Sequence, residues 1–471
     1  MKILLTGATG YIGQRLLPVL IQMGHQVICC VRDKNRFNPP SSVKQHIQVL
    51  EIDLLDVDSL QKIPADINAA YYLVHSMSAN KEYFELEEKC AIHFQQRMDE
   101  TEVNHVIYLS GMANADNLSV HLSSRLNVEK ILSNGKYNFT SLRAGIIIGS
   151  GSASFEIIRD LVEKLPIMIA PKWLNTRCQP ISISDVISLL SETLMDKRTF
   201  NLDFDIGGPD ILTYKEMLQV FAKERKLKRG IYIVPIMTPR LSSYWLYFVT
   251  STTYNLAVSL VNSMKVEVVA RNNDLSQLLG VDTISYREAL SRAFAKIKNN
   301  EIASSWTDAQ VSGILHFNTS DFIEVPTYGC ITDERSKVVN NREKTIQKIW
   351  SIGGSTGWYY GQFLWEIRGF LDKLVGGVGL RRGRTHVNKL QNGDAVDFWR
   401  VLYADREEGR LLLLAEMRLP GEAWLEFKME GNILHQKATF RPKGVLGRIY
   451  WYSIYIFHEF IFQGMLNKLT E

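Results

Sequence analysis

Glycines spaced three residues apart near the amino terminus are the clearest chemical signal in this sequence. Gly7, Gly10 and Gly13 lie between the apolar run at residues 2–5 and a segment with helical character. Glycines at these places let the chain turn sharply, let backbone N–H groups approach an anion, and let a helix pack closely on a strand. The segment therefore predicts a strand, a tight turn and a helix that bind the phosphates of a dinucleotide. The residues predicted to contact it here are Gly7, Thr9, Gly10, Tyr11, Ile12 and Gly13.

A basic residue follows the second apolar run, residues 25–31, which has the length of a buried strand. Near this strand end, an acidic residue usually binds the ribose hydroxyls of NAD, whereas an arginine accommodates the 2′-phosphate of NADP. Arg32, with Lys34 and Arg36 behind it, favours NADP(H), because the fixed charge of a guanidinium suits a dianionic phosphate. Asp33 could instead bind a ribose, so NAD(H) is the alternative cofactor.

Three further apolar runs, residues 49–54, 70–74 and 106–109, alternate with helical stretches such as residues 83–101. This alternation predicts an α/β fold with a doubly wound parallel Rossmann sheet. In such a sheet the ligand lies at the carboxyl ends of the strands. The residues expected to reach the cofactor from these ends are Asp53, Leu54, His75 and Ser110.

The order of these motifs resembles the short-chain dehydrogenase/reductase superfamily, and within it the atypical, NmrA-like and extended, epimerase-like members. The resemblance covers residues 1–225 and implies a Rossmann domain that binds NAD(P) and acts as an oxidoreductase. The segments that carry it are residues 6–13, 31–32, 53–54, 109–110, 142–145 and 179–186.

The sequence departs from this superfamily at the catalytic residues. Active members carry Tyr-x-x-x-Lys on the helix after the fifth strand, and the resemblance places His121 at the tyrosine position and Arg125 at the lysine position. An arginine can bind ribose but does not reproduce an ammonium group, and a histidine could donate a proton near neutral pH. The candidate catalytic residues are therefore Ser110, His121 and Arg125. The alternative for His121 is an ordinary solvated side chain.

The composition is that of a folded protein with two or three domains. Hydrophobic residues make up 46%, charged residues 22%, and the net charge is only +4, which argues against nucleic-acid binding. The five cysteines have no metal-type spacing and are expected to be reduced. No secretory segment fits before the glycine turn, so a cytoplasmic location is expected. The uncharged run at residues 241–264 contains many polar residues, which favours a buried helix, with peripheral membrane association as the alternative.

A second domain is expected after a polar linker. The predicted division is a Rossmann domain with a helical substrate-side extension at residues 1–300, a linker at 301–321 and a second domain at 322–471. Four strand-like runs there are joined by short turns, which predicts an antiparallel meander. They are residues 397–404, 410–417, 423–430 and 433–440, preceded by helices at 342–352 and 358–374 and followed by one at 445–469.

This arrangement resembles the START-like, polyketide-cyclase-like superfamily, an α+β helix-grip fold with an antiparallel sheet around a long helix. Its motifs also resemble an uncharacterised domain found behind such reductases. Trp399, Arg400, Glu416 and Trp424 could line a ligand pocket, although core packing is the more frequent role of such residues.

Three functions are consistent with the sequence. The leading one is an NADP(H)-dependent oxidoreductase with a small hydrophobic carbonyl, enone or quinone substrate. The second is a regulator that senses the NADP redox state, and the third is a carrier of a lipid or quinone in the second domain.

Overall fold

The computed structural model describes the chain with several gaps and divides it into two compact units, Met1–Ala309 and Gln310–Glu471. The linker predicted at residues 301–321 lies outside the described residues. The described residues are 1–32, 34, 37, 45–74, 81–112, 120–234, 243, 246, 254–271, 275–298, 325, 330–380, 390–442 and 444–471.

The first unit contains strands and helices in alternation. Its strands are β1 (Lys2–Thr6), β2 (Gln26–Val31), β3 (Ile47–Glu51), β4 (Ala69–Tyr72), β5 (His105–Gly111), β6 (Asn138–Ala144), β7 (Ile147–Ile148), β8 (Ile167–Pro171), β9 (Arg177–Cys178), β10 (Ile181–Ser182), β11 (Leu202–Ile206), β12 (Leu212–Thr213) and β13 (Gly230–Val234). Its α-helices are α1 (Gly13–Gln22), α2 (Val57–Leu60), α3 (Lys81–Asp99), α4 (Val120–Ser133), α5 (Ala153–Lys164), α6 (Ile183–Glu192), α7 (Tyr214–Glu224), α8 (Tyr254–Ser263), α9 (Leu275–Leu279) and α10 (Tyr286–Lys298).

Seven of the described strands form one parallel sheet, in the order β11-β6-β5-β4-β1-β2-β3. The doubly wound Rossmann prediction is therefore confirmed. The sequence predicted only β1 to β5 as strands, because β6 and β11 mix polar and apolar residues. The strand order changes direction between β1 and β4, and such sheets bind their ligands at that point.

The apolar runs along these strands are continuous because helices cover both faces of the sheet. Along β1, Ile3 and Leu5 pack in one buried cluster with Leu16 of α1, whereas Leu4 packs in another with Phe94 of α3. Successive side chains of a strand point to opposite faces, so a strand buried on both sides must be apolar throughout.

About half of the run at residues 241–264 is described, namely 243, 246 and 254–264, and this part includes α8. Across the residues described, none of the helices combines the length and the apolar character needed to cross a membrane. All five cysteines are free thiols, as expected.

The second unit is an antiparallel sheet with three described helices. Its strands are β14 (Ile331–Val338), β15 (Ala395–Val396), β16 (Trp399–Asp405), β17 (Arg410–Ala415), β18 (Gly421–Glu430) and β19 (Ile433–Pro442), and its helices are α11 (Arg342–Ile349), α12 (Gln362–Leu374) and α13 (Gly444–Thr470). The sheet order is β14-β19-β18-β17-β16-β15, and α13 packs on β14 and β19. The meander and the long final helix are thus confirmed, while the START-like assignment stays a prediction. The sequence missed β14, whose mostly exposed, charged residues lack an apolar strand pattern.

The four residues considered for a pocket in this unit do not meet in one place. Trp399 packs in the main core, whereas Trp424 lies in a separate cluster with Leu412 and Leu414. Arg400 and Glu416 form a buried ion pair, with Nε 3.0 Å from Oε1. These residues therefore serve packing and internal charge compensation.

A buried histidine makes the stability of the first unit depend on pH. The backbone N–H of Met195 donates to His105 Nδ1 at 3.0 Å, so Nε2 carries the proton and donates to Thr140 Oγ1 at 2.9 Å. Burial lowers the pKa of His105 to about 4. In the unfolded chain this histidine binds a proton below about pH 6.5, whereas in the folded protein it stays neutral until about pH 4. The free energy of unfolding therefore has its full value above about pH 6.5 and decreases as the pH falls towards 4.

We expect His105→Gln to weaken this pH dependence. Between pH 7.5 and 4.5 the wild type should lose roughly 2 kcal/mol more stability than the variant, because one pKa unit corresponds to about 1.4 kcal/mol. Urea denaturation followed by circular dichroism measures the free energy of unfolding of wild type and variant at each pH, with exposed His46→Gln as the control. Identical pH profiles for wild type and His105→Gln would contradict this assignment.

Candidate functional site

The glycine turn is held by backbone contacts that leave no room for side chains. Gly7 has φ +71°, and a Cβ there would lie 2.7 Å from the carbonyl oxygen of Leu73, just after β4. A Cβ on Gly13 would lie 2.3 Å from the carbonyl oxygen of Gly7. The Gly10 N–H donates to that same oxygen at 2.9 Å. These contacts place the start of α1 directly against the carboxyl end of β1.

The start of α1 presents backbone donors that the described residues do not use. The cap residue Ile12 makes no side-chain capping hydrogen bond, and the first turn contains no acidic residue. Among the described residues, nothing accepts from the N–H groups of Tyr11, Ile12 or Gly13. Unpaired N–H groups and the helix dipole together make a site for an anion, which fits a dinucleotide pyrophosphate.

Tyr11 contributes to this turn through its backbone, while its side chain is buried elsewhere. Arg15 lies 3.8 Å above the Tyr11 ring and donates to the carbonyl oxygens of Tyr11 and Ser150, both at 3.0 Å. Burial raises the pKa of the Tyr11 phenol to about 12. A Cβ on Gly149 would lie 2.5 Å from the Tyr11 hydroxyl. Arg15 and Tyr11 therefore fasten the turn to residues 149–152, a role that the sequence motif did not indicate for Arg15.

The strand pair β1 and β4 shapes the other side of the turn. Thr6 Oγ1 donates to the carbonyl oxygen of Tyr71 at 2.9 Å and accepts from the N–H of Leu73 at 3.3 Å. His75, predicted to reach the cofactor from this strand end, lies outside the described residues.

Arg32 and Asp53 lie at the same edge of the sheet, both exposed. Arg32 follows β2 directly, and Asp53 comes two residues after β3, where its Oδ1 accepts from the N–H of Leu55 at 3.0 Å. Both act on Cys90: burial raises the pKa of this thiol to about 12, Asp53 raises it further, and Arg32 opposes the rise. A cation and a carboxylate are thus placed where an adenosine ribose would lie. Asp33 lies outside the described residues.

Leu54 differs from its neighbours because its side chain is buried and its carbonyl oxygen has a hydrogen-bond partner. The carbonyl oxygen of Leu54 lies 2.9 Å from His93 Nδ1. Any contact with the cofactor would therefore come from the loop backbone.

Ser110 and Arg125 are brought together at the carboxyl end of β5. The Ser110 hydroxyl is buried and has no hydrogen-bond partner among the described residues. A Cβ on Gly111 would lie 3.3 Å from Cδ and 3.6 Å from Nη1 of Arg125, which places this α4 side chain across the strand end. The described part of α4 includes His121, but its side chain is outside the description.

Tyr108 joins this cluster although the sequence indicated only a strand residue. Burial raises the pKa of its phenol to about 12, although the positive charge of Arg125 lowers it in part. The Ser110 hydroxyl lies near enough to affect the phenol without reaching hydrogen-bond geometry. A phenol, a hydroxyl and a guanidinium therefore lie close together at the carboxyl end of β5.

No carboxylate in the described part of the chain is paired with Arg125. Arg125 makes no ion pair or hydrogen bond with any residue that the structure describes, and its Nε is buried. Glu87 accepts from the hydroxyl of Ser124. Glu129 accepts from Ser141 Oγ at 2.8 Å and from Arg143 Nε at 3.1 Å. Arg125 is half-buried, and a partly shielded guanidinium without a described partner is suited to an oxyanion or another polar ligand.

Two family profiles match the chain, one in each unit. Residues 7–159 match a family described as NAD(P)H-binding, and residues 330–465 match one described as "protein of unknown function (DUF2867)". With the parallel sheet and the glycine turn, the first match indicates an NAD(P)H-binding domain of Rossmann fold. The expected uncharacterised second domain is present as well.

Curated relatives match this first domain at low identity. A chloroplastic divinyl chlorophyllide a 8-vinyl-reductase of Zea mays is 22% identical over 222 residues, which is 44% of this chain and 55% of the relative. A mitochondrial protein of Arabidopsis thaliana, NADH dehydrogenase [ubiquinone] 1 alpha subcomplex subunit 9, is 23% identical over 226 residues, 45% of this chain and 55% of the relative. The chain thus spans about half the length of these relatives.

The solved structures agree on the fold. A nucleoside-diphosphate-sugar epimerase from Staphylococcus aureus aligns with a TM-score of 0.51 and 15% sequence identity, covering 62% of this chain and 99% of the epimerase. At this identity the likeness establishes the fold alone.

Substitutions at two glycines distinguish an effect on folding stability from an effect on coenzyme binding. We expect Gly13→Ala to destabilise the protein by about 2 kcal/mol or more, because its Cβ would overlap backbone atoms that cannot move aside. Gly10→Ala, whose Cβ would lie 3.1 Å from the Gly7 carbonyl oxygen, should change stability by less than about 1 kcal/mol. It should still weaken NADPH binding roughly tenfold or more by crowding the phosphates. Thermal melts and calorimetric titration provide the two readouts, and wild-type behaviour of both variants would contradict this geometry.

Proposed function

We propose that this protein is an NADP(H)-dependent oxidoreductase that transfers hydride between the nicotinamide and a hydrophobic carbonyl, enone or quinone. The observation that carries the proposal is the guanidinium of Arg125, which has no partner among the described residues, beside the buried Ser110 hydroxyl at the sheet edge where a Rossmann domain holds its cofactor.

NADP(H) is preferred over NAD(H) because of Arg32. This side chain is exposed at the end of β2 and is free to meet a 2′-phosphate. Asp53 at the same edge suits the ribose hydroxyls, and its Oδ1 is already fixed in a turn. The backbone donors of residues 11–13 fit the pyrophosphate.

Bound NADPH would supply the hydride, and the residues of this chain would manage the charge that follows. The guanidinium of Arg125 would serve as a fixed positive charge for an oxygen that becomes negative. Ser110 would donate its O–H to that same oxygen. The buried Tyr108 phenol, with its raised pKa, stays protonated under the same conditions.

This arrangement favours enones and quinones over simple ketones. Hydride added to the β-carbon of an enone leaves an enolate, whose oxygen the positive charge of Arg125 would stabilise until water supplies the proton at the α-carbon. A simple ketone instead needs a proton at oxygen during the transfer, which here would have to come from His121 or water. The name of the maize relative also describes the reduction of a carbon–carbon double bond.

A redox-sensing regulator is the second candidate, favoured by one observation. Arg125 and His121 replace the lysine and tyrosine of active superfamily members, so the protein would bind the nucleotide without turnover. Nicotinamide fluorescence separates the two functions when NADPH is mixed with a panel of quinones and enones. Oxidation of NADPH supports the enzyme, and stable binding without oxidation supports the sensor. The carrier function stays a prediction.

Arg32→Ala tests the choice of coenzyme. We expect NADPH binding to weaken by about 1.5–3 kcal/mol, roughly 10- to 100-fold, because a charge-assisted contact with phosphate is lost. NADH binding should change by less than about twofold, since NADH carries no 2′-phosphate. Exposed Lys130→Ala is the matched control in the calorimetric titration. Equal losses for both coenzymes would overturn the NADP(H) assignment.

Arg125 variants test the proposed chemistry. Arg125→Met should lower kcat by about 10²–10³-fold, the usual effect of losing a donor to a developing oxyanion, and Arg125→Lys should retain more activity. Ser110→Ala should lower kcat as well, with KM for NADPH little changed. Steady-state kinetics with the best quinone or enone measures these effects, with Lys130→Met on the same helix as the control. An unchanged kcat in Arg125→Met would remove this residue from the mechanism.

A further inference from the structure

A small two-stranded sheet of the first unit exposes apolar side chains on one face. Its strands β8 and β13 are parallel, and among the described strands each pairs only with the other. On the buried face, Met168 and Ala170 pack in the core. On the opposite face Ile167 is 63%, Ile169 57% and Tyr232 62% exposed. Single exposed apolar residues are normal, whereas an adjacent group marks an interaction site.

These three exposed side chains form one continuous surface. Ile169 and Tyr232 are register partners on the two strands, as are Ile167 and Gly230. The ring of Tyr232 extends over Gly230, because a Cβ on that glycine would lie 3.0 Å from Tyr232 Cε2. The ring therefore lies beside Ile167 as well as Ile169. We call Ile167, Ile169 and Tyr232 the β8 face.

The outer edge of β8 also carries backbone groups without partners. The N–H of Gly230 donates to the carbonyl oxygen of Pro166 at 3.0 Å. Because the backbone groups of successive strand residues point to alternate sides, those of Ile167 and Ile169 point away from β13. Within the described chain, nothing bonds to the N–H or the carbonyl oxygen of either isoleucine. Such an edge is a template for one more strand.

Lysines lie at both ends of this small sheet. Lys172 follows β8 directly, and Lys226 and Lys228 come shortly before β13. All three residues are exposed and have no ion-pair partner in the part of the chain that the structure describes. Lys226 and Lys228 also line a surface groove of about 370 Å³, together with Gln219, Ala222, Lys223, Leu227 and Arg229. None of these described lining residues is acidic.

The carboxylates of the neighbouring helices are already paired. Glu163 Oε2 lies 3.3 Å from Arg159 Nε, and Glu163 Oε1 lies 3.2 Å from Arg225 Nη2. Glu224 Oε2 lies 3.0 Å from Arg287 Nε. Among the described residues around the β8 face, the exposed charge that stays unpaired is therefore that of the lysines. A positive surface of this kind favours a negatively charged partner.

The unpaired backbone groups distinguish between possible partners. A lipid bilayer offers no strand to pair with, so burying Ile167 and Ile169 in lipid would leave their N–H and carbonyl groups without hydrogen bonds. A second copy of this chain, paired edge to edge, would bring the exposed lysines of both copies together. An extended acidic peptide supplies both the hydrogen bonds and the negative charge.

We propose that the outer edge of β8 binds an extended, acidic segment of a partner protein, which adds to the sheet as a third strand. Backbone groups of the segment pair with those of Ile167 and Ile169, and its apolar side chains pack on the β8 face. Acidic residues at its two ends meet Lys172 at one end and Lys226 and Lys228 at the other. This binding does not involve the coenzyme, so it is tested separately from the proposed reaction.

Fluorescence polarisation with a labelled peptide tests the proposal on the full chain. The probe is Glu-Glu-Val-Thr-Val-Thr-Val-Glu-Glu, in which valines alternate with threonines between acidic ends. We expect saturable binding that weakens as salt is raised. Binding should be roughly tenfold or more weaker when lysines replace the glutamates.

Backbone pairing is tested with two N-methylated forms of the probe. One carries methyl groups on the valine nitrogens and the other on the threonine nitrogens. Successive N–H groups of an added strand point to opposite sides, so only one set faces β8. We therefore expect one methylated peptide to bind roughly tenfold or more weakly and the other to bind like the probe.

Charge variants of the protein have a matched control. Lys226→Glu with Lys228→Glu should weaken binding of the acidic probe roughly tenfold or more. Lys130→Glu with Lys136→Glu makes the same change of charge at exposed lysines on α4 and before β6. This control should bind the probe like the wild type.

The apolar contact is tested by Ile167→Thr with Ile169→Thr. Threonine retains the branched shape that suits a strand but removes apolar surface, so binding should weaken roughly tenfold. Circular dichroism checks that this variant and the charge variants fold.

Several outcomes would overturn the proposal. They are failure of the probe to bind, equal binding by all variants, and equal binding by the probe and both methylated peptides. Flotation of the wild type with anionic vesicles, abolished by Ile167→Thr with Ile169→Thr, would assign the β8 face to a bilayer instead. A dimer that the same variant converts to a monomer would assign it to a second copy.

Discussion

The close backbone contact between Gly7 and Gly13 is the constraint on which the candidate site depends. A Cβ on Gly13 would lie 2.3 Å from the Gly7 carbonyl oxygen, so α1 can begin this close to the turn only because residue 13 has no side chain. That contact aims the unpaired N–H groups of residues 11–13 at the carboxyl edge of the sheet, at the change of strand direction. Arg15 then fastens this turn to residues 149–152. Local sterics, rather than a large binding surface, position the anion.

The second requirement is a positive charge that the fold leaves available. Arg125 lies among carboxylates, but Glu87 accepts from Ser124 and Glu129 is paired with Arg143. A guanidinium in this position can stabilise the negative charge of a ligand or the charge that develops on a substrate oxygen. In the proposed reaction this charge is the physical reason for preferring enones and quinones, and it would give Arg125 a role different from that of the lysine in active members of the superfamily.

Much of the first unit could be predicted because its signals are local. Glycine spacing and continuous apolar runs report turn geometry and two-sided burial, and they predicted β1 to β5. Ser110 became a candidate because it ends the fifth predicted strand, and Arg125 became one only through the superfamily resemblance. Strands β6 and β11 were missed because they include polar side chains, such as that of Arg143, that are held by partners distant in sequence. Arg15 and Tyr108 were missed for a similar reason, since their roles arise from contacts with residues 150 and 125. In the second unit, β14 carries no apolar pattern, and its place in the sheet follows only from pairing with β19.

The central claim is that residues 11–13 bind the pyrophosphate of a nicotinamide coenzyme and that Arg32 selects the phosphorylated form. Isothermal titration of the full chain with NADPH and NADH tests this claim most directly. The account predicts saturable one-to-one binding of NADPH, roughly tenfold or more tighter than that of NADH. Failure of both coenzymes to bind at millimolar concentration would contradict it.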